Sequence, residues 1–351
     1  VITKPNVEKV LARSLRGVVA LLMASYALTA TAHSPVRQEP AELSRFTLVE
    51  YHMGIDARIV LYAPDQKTAE VAAEAAFKRI AVLEDVMSDY RPTSELMRLC
   101  ARPAKTPVKI SADLFKVLEE SQKISSQTGG AFDVTVGPLI QLWRKARKEG
   151  KLPDPALIQA AKKLVGYRKL KLNAKDQTAT LAENGMKLDL GGIAKGFAAD
   201  EALIQLQKNG VKSALIEMGG DIVLGDAPPK TEGWQVIVPN NTSGRPEMTL
   251  KNCAISSSGD TEQFVVIGGK RYSHVVDPKT GQGLTKRVQA SIIAPNGLTS
   301  DPISTALTVL NERGRERLLR NYRSSKVFIK TASDTAVANR DLAKLGQQRS
   351  A

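Results

Sequence analysis

The sequence predicts an α+β domain with two lobes, largely antiparallel sheets and flanking helices. Two observations carry the prediction. Between residues 169 and 294, many short apolar runs follow one another with tight glycine turns between them, which favours antiparallel pairing over a doubly wound sheet. No internal repeat and no second linker divides the chain, so one domain is expected over 45–345, preceded by a linker over 33–44. At 351 residues and 42% hydrophobic content, the chain can bury a sizeable core, and disorder is excluded.

The elements follow in order. Lys4, Lys9, Arg13 and Arg16 precede the apolar run Gly17 to Ala30, and "ATA" ends at Ala32. A basic head, an apolar middle and small residues make an export signal over 1–32, cleaved after Ala32. The run is 14 residues, short of the roughly 20 that span a bilayer, so a soluble exported form is expected, without a stable membrane anchor. "FTLVEYHMGIDARIVLYA" then alternates like two strands joined through Met53-Gly54. Asp65 opens a helix to about Ser88, with an apolar stripe at Val71, Ala75, Ile80, Val82, Leu83 and Val86. A helix capped by Ser111 stops at Gly129-Gly130, and another covers about Pro155 to Leu164. "KLKLN", "TATLA" and "KLDL" read as strands. A helix follows, and then further strands from "ALIEMGGDIVLGD" to "QASIIAP".

Net charge is +14, but the basic residues are scattered, aromatics are 5%, and no basic-aromatic recognition motif occurs. A soluble basic surface fits this better than nucleic acid binding. Cys100 and Cys253 are the only cysteines; an exported setting permits a disulfide between them without requiring one. They lack the spacing of a zinc site. The three histidines are His33, His52 and His274, which leaves histidine chemistry little choice.

Three segments gather chemistry. In "KLDLGGIAKGFAADEAL" the chain bends through Gly191, Gly192 and Gly196 into a helix N-terminus, whose free N–H groups and dipole suit an anion. The order G-G-x-x-K-G matches neither the P-loop nor the dinucleotide fingerprint, and close helix-on-strand packing explains such a turn equally well. In "LTSDPISTALTVL" Pro302 suits the first helical position, which makes Asp301 the N-cap and puts Thr305 on the same side. A carboxylate and a hydroxyl there form a partial set of hard ligands for Mg²⁺, or else a cap beside a buried threonine. In "AISSSGDTEQFVVIGGKRYSHVVDPKTG", His274 sits at a strand end before Asp277-Pro278. A hydrolase triad through Ser258 lacks the G-x-S-x-G elbow.

Taken in order, "MG" at Met53, "SDYRPTSELMRL", "GGAFDVTVGPL", "DLGGIAKGFAAD", "MGGDIVLGD", "SSSGD", "YSHVVDPKTG" and "SDPISTAL" resemble the FAD:protein FMN transferase family (ApbE) from about Thr47 to Leu310. The resemblance implies a fold, an activity and a set of site residues. Met53 and Tyr90 would line the flavin dinucleotide pocket. The loop Ala131, Phe132 and Asp133 would touch FAD, as would Asp189, Lys195 and Val275. The carbonyl of Gly192, with Asp301 and Thr305, would hold Mg²⁺, and His274 would take a proton from the acceptor. It further implies transfer of FMN from FAD to a Thr or Ser of an exported redox protein, with release of AMP. FAD hydrolysis and flavin carriage are the rival activities. Ile55 stands where the family usually has Thr, and the family's lipoprotein cysteine is missing.

Overall fold

The first two strands, β1 (Ser44–His52) and β2 (Ile55–Ala63), pair antiparallel along their whole length. Their connection is Met53-Gly54, at φ 50° and 80°, the primed-turn geometry whose twist matches that of the flanking strands. This computed structural model describes residues 42–241, 247–259 and 264–331. The signal peptide, nearly all of the linker, Asp260 and the stretch after 331 lie outside the described residues. Among those described, no helix is long and apolar enough to cross a membrane.

Helix α1 (Gln66–Met87) starts at Asp65, whose carboxylate accepts from the Thr68 amide at 2.7 Å, and ends at Ser88. Its stripe differs from the one expected. Val71 and Val82 are 52% and 46% exposed, whereas Ala69, Ala72, Ala73, Ala76, Ile80 and Leu83 are buried. Helix α6 (Ala194–Lys208) buries Ala198, Ala199 and Ala202 in the same core. Small side chains let backbones approach closely, so packing overrides the greater hydrophobicity of valine.

Between α1 and α6 lie α2 (Glu95–Cys100), β3 (Val108–Lys109), α3 (Ala112–Thr128), α4 (Gly137–Glu149), α5 (Pro155–Lys162), β4 (Leu170–Asn173) and β5 (Thr178–Leu181). Ser111 caps α3, and Gly129 ends it at φ 58°. "KLDL" is not a strand. The Leu188 amide donates to Cys100 Sγ and the Asp189 amide to the Val134 carbonyl, so its donors go to a thiol and a loop rather than to a ladder. Cys100 and Cys253 are free thiols.

After α6 come β6 (Ala214–Met218), β7 (Asp221–Leu224), β8 (Trp234–Ile237), β9 (Glu247–Leu250), β10 (Cys253–Ser258), β11 (Phe264–Ile267), β12 (Lys270–Ser273), β13 (Val288–Ala294), α7 (Gly297–Val309), α8 (Glu312–Leu319) and β14 (Lys326–Thr331). Seven strands form one sheet in the order β1-β2-β6-β7-β10-β13-β14, antiparallel at every pairing. One face, with Ile59, Leu61 and Ile216, packs on α1, α6 and α7. The other, with Val60, Leu215 and Ile255, is covered by Trp234 and Val236 of the β8–β9 hairpin. A separate cluster of Leu139, Trp143, Ile158 and Tyr272 ties α4 and α5 to the β11–β12 hairpin.

Helix α7 begins a turn earlier than expected, and Asp301 is not its cap. Asn296 Oδ1 accepts from the Thr299 amide at 2.9 Å. Asp200, reaching across from α6, accepts from the Gly297 and Leu298 amides at 2.7 and 2.8 Å. With the first three amides satisfied, the helix runs through Pro302, whose missing N–H forfeits one helical bond. Asp301 thereby lies within the helix and points sideways toward α6.

Candidate active site

Helices α6 and α7 cross at two glycines. A Cβ on Gly196 would lie 2.2 Å from the Gly297 carbonyl oxygen, and one on Gly297 would lie 2.2 Å from that of Gly196. That contact delivers the Gly196 amide to Asp301 Oδ2 at 3.1 Å. The preceding residue, Lys195, sends its ammonium to Asp221 Oδ2 at 2.5 Å, with Asp301 Oδ2 at 3.8 Å. Gly192 lies under Thr305: a Cβ there would be 3.0 Å from Thr305 Oγ1 and 3.4 Å from the Phe132 ring. The Ser258 hydroxyl bonds Thr305 at 3.2 Å and Ser304 at 2.8 Å. Gly192, Lys195, Asp301, Thr305 and Phe132 thus lie together, and Asp221 and Ser258 join them.

The electrostatics of this corner follow from burial. Asp221 and Asp301 are each 2% exposed, and two carboxylates share one ammonium. Burial and then the Asp221 charge push the Asp301 carboxyl up to about 7, against the pull of Lys195 and the Gly196 amide. Burial also works against the Lys195 ammonium, but Asp221 and Asp301 outweigh it and hold its pKa above the ordinary lysine value. A second cation would relieve the excess negative charge. Among the described residues, no group of three or more His, Cys, Asp or Glu side chains is placed to enclose a metal. The Asp301 carboxylate and the Thr305 hydroxyl are hard oxygen donors of the kind that Mg²⁺ takes.

A second cluster joins the same glycine turn. Asp189 Oδ1 accepts from the Gly191 amide at 2.9 Å, and Oδ2 accepts from Arg144 at 2.9 Å. Arg144 also bonds Asp89, and its guanidinium lies 4.2 Å from the centre of the Tyr90 ring. Burial and then Asp89 raise the Asp189 carboxyl to about 6, with Arg144 opposing. The Tyr90 residue is 75% exposed, its ring braced from one side and available to a ligand. Met53, in the β1–β2 turn, packs against the main core. His52, just before it, stacks on Phe77 of α1 and approaches Glu84, which pairs with Arg91 beside Tyr90.

Asp133 is placed differently from its loop neighbour. Its Oδ1 accepts from the Thr135 amide and hydroxyl at 2.9 and 2.6 Å, and its Oδ2 accepts from the Tyr167 amide at 2.7 Å. The carboxylate is engaged in pinning the loop, while Ala131 and Phe132 are each 5% exposed. His274 and Val275, both half-buried, follow β12 in a bend. The Val275 amide donates to Ser273 Oγ, and Trp143 Nε1 donates to the Gly281 carbonyl at 2.9 Å. Consecutive residues of α4, Trp143 and Arg144, therefore hold the His274 loop and the Tyr90–Asp189 cluster.

Residues 53–329 match the model of the ApbE family, most of the chain. The chain belongs to this family. Its relatives include the FAD:protein FMN transferase of Haemophilus influenzae, 35% identical over 66% of this chain and 71% of that one. The transferase of the same name from Treponema pallidum is 32% identical over 80% of this chain and 83% of that one. Among solved structures, the flavin transferase ApbE from Vibrio cholerae superposes with a TM-score of 0.74 at 27% identity, covering 86% of this chain and 99% of that one. The ApbE protein from Thermotoga maritima gives 0.75 at 26% identity, and these folds bear out the expected α+β class.

Two residues of the site were not singled out from sequence. Asp221 lies inside the quoted "MGGDIVLGD", and Arg144 lies in the basic run "RKARK", in none of the quoted segments.

Proposed function

We propose that the chain is an FAD:protein FMN transferase that moves FMN from FAD onto a Thr or Ser hydroxyl of a target protein and releases AMP. The observation that carries this is the buried pairing of Asp301, Asp221 and Lys195 with Thr305 under a glycine turn, in a chain whose relatives bear that name. The acceptor hydroxyl attacks the phosphorus of the FMN half of FAD. A new P–O bond forms as the pyrophosphate P–O bond breaks, and AMP departs with the bridging oxygen. Such steps are catalysed by positioning and by neutralising phosphoryl charge.

Each residue has a part. The turn opens α6 without a side-chain cap, but the Ile193 and Ala194 amides donate to the Leu190 carbonyl and the Gly196 amide to Asp301, so the positive charge of Lys195 is the main attraction for the pyrophosphate. Tyr90, held over Arg144, supplies a face for the dinucleotide, and Met53, Phe132 and Val275 shape its walls. His274 takes the proton of the acceptor hydroxyl. Asp301, Thr305 and the Gly192 carbonyl would hold Mg²⁺, which when bound supplies Lewis-acid charge neutralisation at phosphoryl oxygens. The leader supports export, as a soluble form, to a periplasm where redox proteins are the acceptors. If water replaced the acceptor, the same site would hydrolyse FAD.

The cation ligands give the direct test. Asp301→Ala should nearly abolish AMP release while the protein stays folded, because Lys195 keeps its nearer partner Asp221 and is not left unpaired. Wild-type turnover in that variant, or undiminished turnover in excess EDTA, contradicts the cation assignment.

A further inference from the structure

Asp221 stands out as a buried charge that neither binds the backbone of the glycine turn nor belongs to the expected ligand set. It begins β7, directly after the Gly219-Gly220 turn. That turn is locked: the Ser257 amide donates to the Gly220 carbonyl at 2.9 Å, and a Cβ on Gly220 would lie 2.7 Å from the Ser257 carbonyl oxygen. The sheet therefore fixes the Asp221 carboxylate, and Lys195 comes to it from the first turn of α6. The lysine ammonium sits 2.5 Å from Asp221 but 3.8 Å from Asp301. Asp301 Oδ2 is meanwhile oriented by the Gly196 amide.

From this geometry we infer that Asp221 is a positioning residue: it tethers the Lys195 ammonium and so keeps that cation from closing on Asp301, where it would compete with the divalent ion. This rests on the cation assignment for Asp301 made above. An ammonium and a divalent cation are rivals for the same carboxylate oxygens, and the half-buried Lys195, without its nearer carboxylate, has Asp301 as its other acidic neighbour, at 3.8 Å. The tether also explains how one site keeps both a fixed positive charge and a free acidic ligand. A lysine that neutralised Asp301 would leave the pocket without a cation ligand, and a lysine without an anchor would not be held toward the phosphates.

The test is a double-variant cycle read by Mn²⁺ binding, followed by electron paramagnetic resonance of free Mn²⁺ in the absence of flavin. Asp221→Asn should weaken Mn²⁺ binding about tenfold, within the range for neighbours in one ion-pair network. Lys195→Met should bind Mn²⁺ at least as well as wild type. In the Lys195→Met background, Asp221→Asn should change the affinity little, because the competitor is gone. The double variant also removes the unpaired lysine, so it remains informative if Asp221→Asn alone fails to fold. An equal loss of affinity with and without Lys195 would mean that Asp221 contacts the ion itself, and would overturn the inference. So would unchanged affinity in Asp221→Asn. Absence of Mn²⁺ binding by the wild type would instead overturn the cation assignment, and the inference with it.

Discussion

At the scale of single residues, His274 carries the sharpest consequence. If it takes the acceptor's proton, His274→Ala should slow transfer by roughly 10²- to 10⁴-fold, the usual worth of a general base, with little change in FAD affinity. Flavin fluorescence titration and turnover measured together decide this. A large loss of affinity with a normal rate at saturating FAD would remove it from the catalytic set. Residue by residue, the site was legible where its members are neighbours in sequence. Gly192 and Lys195 share one turn, and Asp301 and Thr305 share one helical face. Asp221 and Arg144 escaped because their partners are brought by the fold, Lys195 from 26 residues away and Asp189 from 45. Asp133 was legible as a loop residue but not as one whose carboxylate is fully engaged by Thr135 and Tyr167.

At the scale of elements, the crossing of α6 over α7 holds the site together. Gly196→Ala would drive a methyl group against the Gly297 backbone, which cannot yield as a side chain can. The expected loss is about 2–3 kcal/mol or more, seen as a lower thermal midpoint and a lost Asp301–Gly196 contact. A midpoint equal to wild type would contradict the close crossing. Asp200, which caps α7 from α6, adds a pH dependence. Burial raises its carboxyl to about 6 against the pull of the Gly297 and Leu298 amides, so the folded state holds its proton more tightly than the unfolded state. Stability from this group therefore falls as pH rises from the unfolded pKa near 4 through about 6, by on the order of 2 kcal/mol. The stability of wild type relative to Asp200→Asn should decline over that window in urea melts, and a difference that grows with pH would contradict it.

The same helices show what sequence pattern conveys and what it does not. Short-range signals were sufficient for the β1–β2 hairpin, the α3 stop at Gly129 and the Asp65 cap, because each is settled within a few residues. The start of α7 was misplaced because Pro302 suits a first turn, whereas the true caps are Asn296 and the distant Asp200. Helix α4 was missed although Leu139, Trp143 and Ala146 recur at helical spacing, since Arg144, Lys145, Arg147 and Lys148 dominate the segment. The edge strand β14 depends on pairing with β13, which local pattern does not reveal.

At the scale of the whole molecule, an antiparallel sheet buried on both faces carries α6 and α7, whose crossing gathers the glycine turn and the acidic pair. Transfer and hydrolysis at such a site differ in what accepts the phosphoryl group, and flavin storage involves no transfer. The decisive measurement is AMP release from FAD and Mg²⁺ by the pure protein, with and without an acceptor protein carrying a flavinylatable Thr or Ser. Transfer predicts AMP only when the acceptor is present, in step with flavin that stays on the acceptor after denaturation. AMP released equally without acceptor would show hydrolysis, and no AMP under either condition would show a carrier; either result contradicts the transferase assignment.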